Sequence, residues 1–324
     1  MDLSIIIVNW NSAALLRECL ASIYATKPEL AFETIVVDNA SFDAAAGIVQ
    51  NEFPAVKFIQ SQANLGFSKA NNLGASTASG RNLLFLNPDT EIVGDALQQM
   101  SRFLDATPDA AIAGCKLLNT DLSVQTSCVQ SFPSILNQAL DAEVLRNVFP
   151  NSDLWGMQAI FHQDGDQSSM PMSVEVISGA CLMIKAKTFS TVGQFSSNYF
   201  MYAEDADLCF KTTQAGLHNY YLSEISVVHH GGGSSDTKPA SNFAPVMMRE
   251  SLLEFMRLRR GPIYAAAYQC TMFIMAALRL TILALAFPFA IVTGKRCALR
   301  NASAKWFSVL RWAAGMEPWA KQLA

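Results

Sequence analysis

The chain has 324 residues, 51% hydrophobic and 15% charged, which is material for one large core or two domains and excludes a disordered protein. A net charge of −4 gives no basic field over the surface, so nucleic acid is not the expected partner, whereas a nucleotide stays open. Seven scattered cysteines, odd in number and without a C-x-x-C pair, imply neither a disulfide framework nor a zinc site and fit a reducing compartment.

The chain opens with "LSIIIVNW", which has no basic lead-in and is interrupted by Asn9. It reads as a first strand rather than a signal segment, leaving the N-terminal domain in the cytoplasm. From residue 3 to about 115, short β-branched runs ("LSIIIV", "ETIVVD", "VKFIQ", "RNLLFLN") alternate with helical stretches. That alternation predicts a doubly wound α/β layer whose strands are buried on both faces. Such sheets bind ligands beyond the carboxyl ends of their strands, here Asn9 to Asn11, Asp38 to Ser41, and Asn87 to Asp89.

Residues 116–173 are less regular and read as a lid or acceptor-facing insertion. "SVEVISGACLMIKAKTF" returns to strand character, and "YAEDADLCFKTTQAG" reads as a helix with acids in its first turn and Gly216 at its end. "ISVVHHGGGSS" is a strand running into a glycine loop, and residues 241–260 form a basic amphipathic helix. Residues 262–292 are almost wholly apolar apart from Gln269 and Arg279. As one helix they would measure roughly 46 Å against a bilayer core of roughly 30 Å. Arg257, Arg259 and Arg260 precede them, and Lys295, Arg296 and Arg300 follow, a symmetry that keeps both flanks cytoplasmic. A re-entrant hairpin or two interfacial helices is therefore expected, with a buried helix pair in a soluble dimer as the other reading. Arg279 adds weight to a shallow position, since a charge at a bilayer centre costs roughly 2.5–3.5 kcal/mol.

Five stretches carry candidate chemistry. Asp38 at a strand end is either a helix cap or, with Asn9 and Asn11 on the preceding strand, an acceptor for a nucleobase imide or ribose hydroxyl. "NLGFSKANNLGASTASG" offers Asn64, Gly66, Asn71, Asn72 and Gly74 leading into a helix, suited to a diphosphate but matching neither dinucleotide nor P-loop fingerprints. In "FLNPDTEI", Asp89 stands at the mouth of a buried strand, where Mg²⁺ or Mn²⁺ could bridge it to a diphosphate, and Glu91 is read as structural. The acids at 204–207 face different ways on a helix, so one can cap while another acts as general base. "HHGGGSS" has no G-x-S-x-G elbow after it, which removes the hydrolase reading and leaves a histidine there as a metal or diphosphate contact on a closing loop.

In order, "SIIIVNWNS", "VVDNAS", "NLGFSKANN", "FLNPDTEI", "ISGACLMI", "FMYAEDADLCFKTTQAG" and "VVHHGGGSS" resemble the family 2 glycosyltransferases, most closely a bacterial rhamnosyltransferase-like branch. The resemblance implies a GT-A fold over residues 1–240, divided at 115/116 into donor-binding and acceptor halves, with 241–324 as membrane-associated helices. It further implies an inverting transfer from a nucleoside-diphosphate sugar to a lipid-linked or polysaccharide acceptor in O-antigen-like glycan assembly. Thymidine-diphosphate-rhamnose is the first donor, ahead of uridine- or guanosine-diphosphate sugars. Asn9, Asn11, Asp38, Asn64, Gly66, Asn71 and Asn87 are then donor-side residues, Asp89 and His229 hold Mg²⁺ or Mn²⁺, and Asp205, with Glu204 beside it, is the base. Asn87 stands where the usual D-x-D has its first acid, and His230 rivals His229. The expected location is the cytoplasmic face of a bacterial inner membrane. An inactive nucleotide-sugar-binding scaffold and a sugar nucleotidyltransferase are the alternatives, the latter disfavoured because "IVNWNSAALL" lacks a basic glycine-rich loop.

Overall fold

The computed structural model describes residues 1–26, 28–140, 170–231, 242–292, 294 and 296–323. Half of the 116–173 insertion, the glycine loop beyond Gly231 and Lys295 lie outside the described residues. Four expected strands form: β1 (Leu3–Asn9), β2 (Phe32–Asp38), β3 (Lys57–Gln60) and β4 (Asn82–Leu86). They pair in parallel in the order β3-β2-β1-β4, with Ile6 opposite both Ile35 and Phe85. Strand β1 lies between two neighbours with its Leu3 and Ile5–Ile7 side chains fully buried, which is why its sequence runs apolar without alternation.

Beyond β4 the sheet changes direction. The order continues β10-β6-β11-β5, where β5 is Thr90–Ile92, β6 Ala110–Leu118, β10 Cys181–Lys185 and β11 His218–His229. Strand β10 is antiparallel to both β4 and β6, so the sheet is mixed. The division at 115/116 falls inside β6, so the sheet runs without a break across the two expected halves. Strands β7 (Val129–Gln130) and β9 (Val176–Ile177) form a separate two-stranded ladder, and β8 (Met172–Val174) pairs with β11.

Helices α1 (Ala13–Thr26), α2 (Ala45–Glu52) and α3 (Gly66–Ala75) follow the first three strands. Helix α3 lies close on the sheet because Gly74 faces Ile6: a Cβ there would come within 2.6 Å of the Ile6 Cγ2. Helix α4 (Ala96–Ala106) covers β6, β10 and β11; α5 (Ile135–Leu140) packs on the apolar helix Pro262–Val292, and α6 (Ala186–Thr191) and α7 (Glu204–Gln214) pack on the second half of the sheet.

Helix α8 (Phe243–Arg260) matches the expected amphipathic helix and is tied to α7 by a buried charge. Asp207 is fully buried and accepts from Arg259 Nε at 2.6 Å, Ser196 Oγ at 2.7 Å and Tyr199 Oη at 3.1 Å, with Lys211 Nζ 3.6 Å away. The apolar stretch differs from expectation. It is one continuous helix, α9 (Pro262–Val292), rather than two, and its partner in a hairpin is the polar α10 (Arg296–Ala313). The chain runs back so that Trp312 meets Tyr268, the Ala313 carbonyl accepts from Gln269 at 3.1 Å, and Trp306 meets Arg279. Ala265, Tyr268, Met272 and Ala276, spaced three or four apart, bury one face of α9 against the protein. Arg279 stands over the Trp306 ring at 4.1 Å and donates to the Ala139 carbonyl at 2.9 Å, so its charge is answered by protein. Helix α11 (Pro318–Leu323) ends the described chain.

Replacing Asp207 by Ala would leave the half-buried Arg259 guanidinium and the Lys211 ammonium without the carboxylate they share. The expected loss is about 3–5 kcal/mol, read as a lower urea midpoint with an unchanged slope.

Candidate active site

The register of β1 and β2 sets Asn9 opposite Asp38 at the carboxyl edge of the sheet. Asn9 Nδ2 donates to Asp38 Oδ1 at 2.9 Å, and Asp38 Oδ2 accepts from Gln60 Nε2 at 2.7 Å and from the Ser41 amide at 2.9 Å. Burial alone would push the Asp38 carboxyl up, but these donors hold it below the ordinary carboxylate range. Asn9 Oδ1 is buried without a hydrogen-bond partner among the described residues, an acceptor still available at this edge. Asn11 takes the left-handed region (φ 52°), and its Oδ1 accepts from the Phe42 amide while Ser41 accepts from its own N–H. Ala40, with φ 61°, is bent the same way.

The next loop is held by a residue that sequence reasoning passed over. Asn39 donates to Asn64 Oδ1 at 2.8 Å and accepts from the Leu65 amide at 2.7 Å, and Asn64 accepts from the Gly66 amide at 2.9 Å. The signal was the "DN" pair, in which the acid drew attention away from its neighbour. Gly66 has φ +77°, and a Cβ on it would lie 2.4 Å from the Phe200 carbonyl oxygen. Asn71 does not join this group: its side chain donates back to the Phe67 carbonyl within α3. Asn72 instead clamps the Phe195 backbone through two bonds.

At the end of β4 the Asn87 amide donates to the Ala180 carbonyl at 2.9 Å, and one residue earlier the Gly179 amide donates to Asp205 Oδ2 at 2.9 Å. The Gly179–Ala180 dipeptide thus joins the "NPD" turn to the "EDAD" helix. Asp89 is buried, and its Oδ1 lies 3.3 Å from His229 Nε2 at the end of β11. Asn87 Nδ2 is 3.5 Å from the same nitrogen. On the other side of the ring, Gln125, also missed from sequence, meets His229 twice: Oε1 lies 2.9 Å from Nδ1, and Nε2 donates to the His229 carbonyl at 2.6 Å. His230 turns away to Glu91 at 2.7 Å and Thr120 at 3.0 Å, which removes Glu91 from this corner.

The three acids opening α7 diverge, as their spacing requires. The N-cap position is Ala203 rather than an acid, and within the first turn Asp205 Oδ1 accepts from the Ala206 amide at 2.7 Å. Asp207 enters the knot described above. Asp205 is half-buried, and burial raises its carboxyl above the ordinary range despite hydrogen bonds from Gly179 and Ala206. Glu204 is buried beside it, and burial together with the Asp205 charge pushes its carboxyl well up. Glu204 Oε2 has no partner among the described residues. Tyr202 and Ala203, immediately before the helix, have φ 73° and 62°. Left-handed non-glycine residues cost about 1–2 kcal/mol each, and here they set the angle at which Asp205 meets Gly179.

The edge therefore carries an orphaned acceptor, an Asp–His pair and a carboxyl with a raised pKa. Residues 4–163 match the model of the family described as Glycosyl transferase family 2. The chain belongs to this family. Family 2 glycosyltransferases are enzymes that move a sugar with inversion at the anomeric carbon. The chain is 28% identical over 253 residues to the N-acetylglucosaminyl-diphospho-decaprenol L-rhamnosyltransferase of Mycobacterium tuberculosis (strain ATCC 25618 / H37Rv), covering 75% of this chain and 80% of that one. It is 23% identical over 236 residues to rhamnosyltransferase WbbL of Escherichia coli (strain K12), covering 70% and 82%. The fold is similar to that of the mannosyltransferase PcManGT from Pyrobaculum calidifontis in complex with GDP-Man and Mn²⁺, with a TM-score of 0.60, 16% identity, and coverage of 98% and 87%. The GT-A fold of family 2 is thereby present in this chain.

Gly66 is a local requirement of this glycosyltransferase fold. A Gly66→Ala chain should lose at least about 2 kcal/mol in denaturant unfolding, from the left-handed backbone and the collision with Phe200 together.

Proposed function

We propose that this glycosyltransferase moves a sugar, rhamnose in first place, from a nucleoside-diphosphate donor to a lipid-linked or polysaccharide acceptor in cell-surface glycan assembly. The observation that carries the reading is the Gly179–Ala180 bridge, which sets Asp205 one residue's reach from the Asn87–Asp89–His229 corner. The activities of the two relatives support rhamnose, and that of the Mycobacterium tuberculosis enzyme supports a lipid-diphosphate acceptor. Thymidine diphosphate is the first donor nucleotide, with uridine and guanosine diphosphates behind it.

In this reading Asn9 Oδ1 and the Asp38 edge take the nucleobase, with Asn11 at the same edge, and Asn64 and Gly66 lie along the donor. Asp205 accepts the proton of an acceptor hydroxyl while that oxygen bonds to the anomeric carbon and the bond to the diphosphate oxygen breaks. Glu204, whose carboxyl is pushed well up by burial and by the Asp205 charge, adjoins the base and favours a single negative charge at the pair. Asp89 and His229 fit a divalent ion, since an anionic oxygen and a ring nitrogen 3.3 Å apart form a donor pair. The imidazole suits Mn²⁺ better than Mg²⁺. Such an ion supplies positive charge against the leaving diphosphate.

Transfer from thymidine-diphosphate-rhamnose, followed as release of thymidine diphosphate, tests the base. Asp205→Asn should lower kcat by at least about 100-fold while leaving donor affinity within a few-fold. Because Asp205 works deprotonated and its pKa is raised, activity should fall as pH drops through a value above the ordinary ~4. Retained turnover in Asp205→Asn would remove the base role, and nucleotide binding without transfer in the native chain would leave a scaffold.

We further propose that α9 seats the enzyme on the cytoplasmic face of the membrane. Pro262–Phe289 has a mean hydropathy of 2.1, and Ile282, Leu285, Phe287 and Phe289 are exposed toward its far end, next to exposed Arg296 and Arg300. Each such side chain contributes about 1.5–3 kcal/mol when fully buried in lipid. The triple change Leu285→Lys, Phe287→Lys and Phe289→Lys should lower partitioning onto anionic vesicles by at least about tenfold. A native chain that stays in the supernatant would sink the membrane reading.

A further inference from the structure

Gln125 holds His229 by two opposed hydrogen bonds, and the direction of each follows from the other. Its Nε2 can only donate, and the His229 carbonyl can only accept, so the 2.6 Å contact fixes the orientation of the amide. Gln125 Oε1 then faces the ring at 2.9 Å and must accept from Nδ1–H. A neutral imidazole carrying its proton on Nδ1 has a bare lone pair on Nε2, the atom 3.3 Å from Asp89 Oδ1. At 3.5 Å the Asn87 amide is too distant to occupy that lone pair.

The clamp is itself anchored on both sides. The Gln125 amide donates to the Leu117 carbonyl at 2.8 Å at the end of β6, and the Gln125 carbonyl accepts from the Cys128 amide at 3.1 Å. Strand β6 is paired with β11 up to Leu118 and Val228, and His229 ends β11. Gln125 lies past the end of β6, where the chain folds back and Val124 bridges Leu118, so its bond to Leu117 ties it to the strand beside the one that carries the histidine. Without the clamp, imidazole in water prefers its proton on Nε2, which would point an N–H at the space beside Asp89.

We infer that Gln125 is a positioning residue for the divalent ion: it selects the Nδ1–H tautomer of His229 and aims the free Nε2 lone pair beside Asp89. This rests on the reading of Asp89 and His229 as the ion's ligands. Residues that orient a ligating histidine in this way typically change metal affinity by about 10- to 100-fold when removed.

The test uses the full chain with ¹⁵N-labelled histidine, whose four rings allow individual assignment. At a pH where the ring is neutral, nitrogen shifts report the His229 tautomer without metal, and broadening during Mn²⁺ titration reports affinity. The native chain should show Nδ1–H. Gln125→Leu should shift His229 toward Nε2–H and weaken Mn²⁺ by about 10- to 100-fold, with thermal melting confirming a folded chain. Gln125→Glu keeps an acceptor at Nδ1 and should restore both the tautomer and, within a few-fold, the affinity. A Gln125→Leu chain with native tautomer or native Mn²⁺ affinity overturns the positioning role. Separately, His229→Ala and Asp89→Ala chains that bind Mn²⁺ as the native chain does would overturn the ligand reading itself, and the positioning role with it.

Discussion

The site depends on a reversal of direction in the sheet. Strands β1, β2 and β4 are parallel and end at one edge, whereas β10 enters antiparallel and begins there. Its lead-in, Gly179–Ala180, arrives with one amide and one carbonyl that the sheet ladder leaves to be satisfied. Asn87 takes the carbonyl and Asp205 takes the amide. Two backbone hydrogen bonds thus bring the β4 turn and the α7 acid to the same place, though they are more than a hundred residues apart in the chain.

The energetic support for this arrangement lies behind it. Asp207, two residues from Asp205, is buried in hydroxyls and a guanidinium supplied by the 196–199 turn and by α8. That anchorage offsets the left-handed backbone at Tyr202 and Ala203, which would otherwise relax and rotate the first turn of α7. Because Arg259 belongs to the helix that leads directly into α9, the acid helix and the apolar helix are held in one rigid unit.

Charge is distributed along the edge by the same local logic. Asp38 is kept ionised by converging donors, while Glu204 and Asp205 are raised because burial outweighs the few amides they receive. Carboxyls along one edge therefore differ in affinity for protons through the balance of burial, neighbouring charge and hydrogen-bond supply.

The parallel strands, their polar carboxyl ends and the order of motifs were legible in the sequence, because buried parallel strands read as unbroken β-branched runs and helices show their own period. The positions of Asn9, Asp38 and His229 at strand ends, and of Asn64, Asp89 and Asp205 within two or three residues of an element's boundary, were legible for the same reason. Asn39 and Gln125 were not, since an amide side chain becomes informative only when its partner is known, and their partners lie far off in the chain, in the loop before α3 and at the end of β11. Nor did periodicity reveal that Asn71 turns back on its own helix or that β6 carries the sheet past residue 115. The apolar run 262–292 declared its composition but not its form. A helix that long was expected to break, yet α10 returning along it with Trp306 against Arg279 supplies the partner that keeps it whole. Local sequence determined which residues form strands and helices and where their ends lie, because propensity and burial pattern act within a few residues. Only the tertiary structure decided which of those ends meet, because the hydrogen bonds and charges that join them are satisfied across the sheet rather than along the chain.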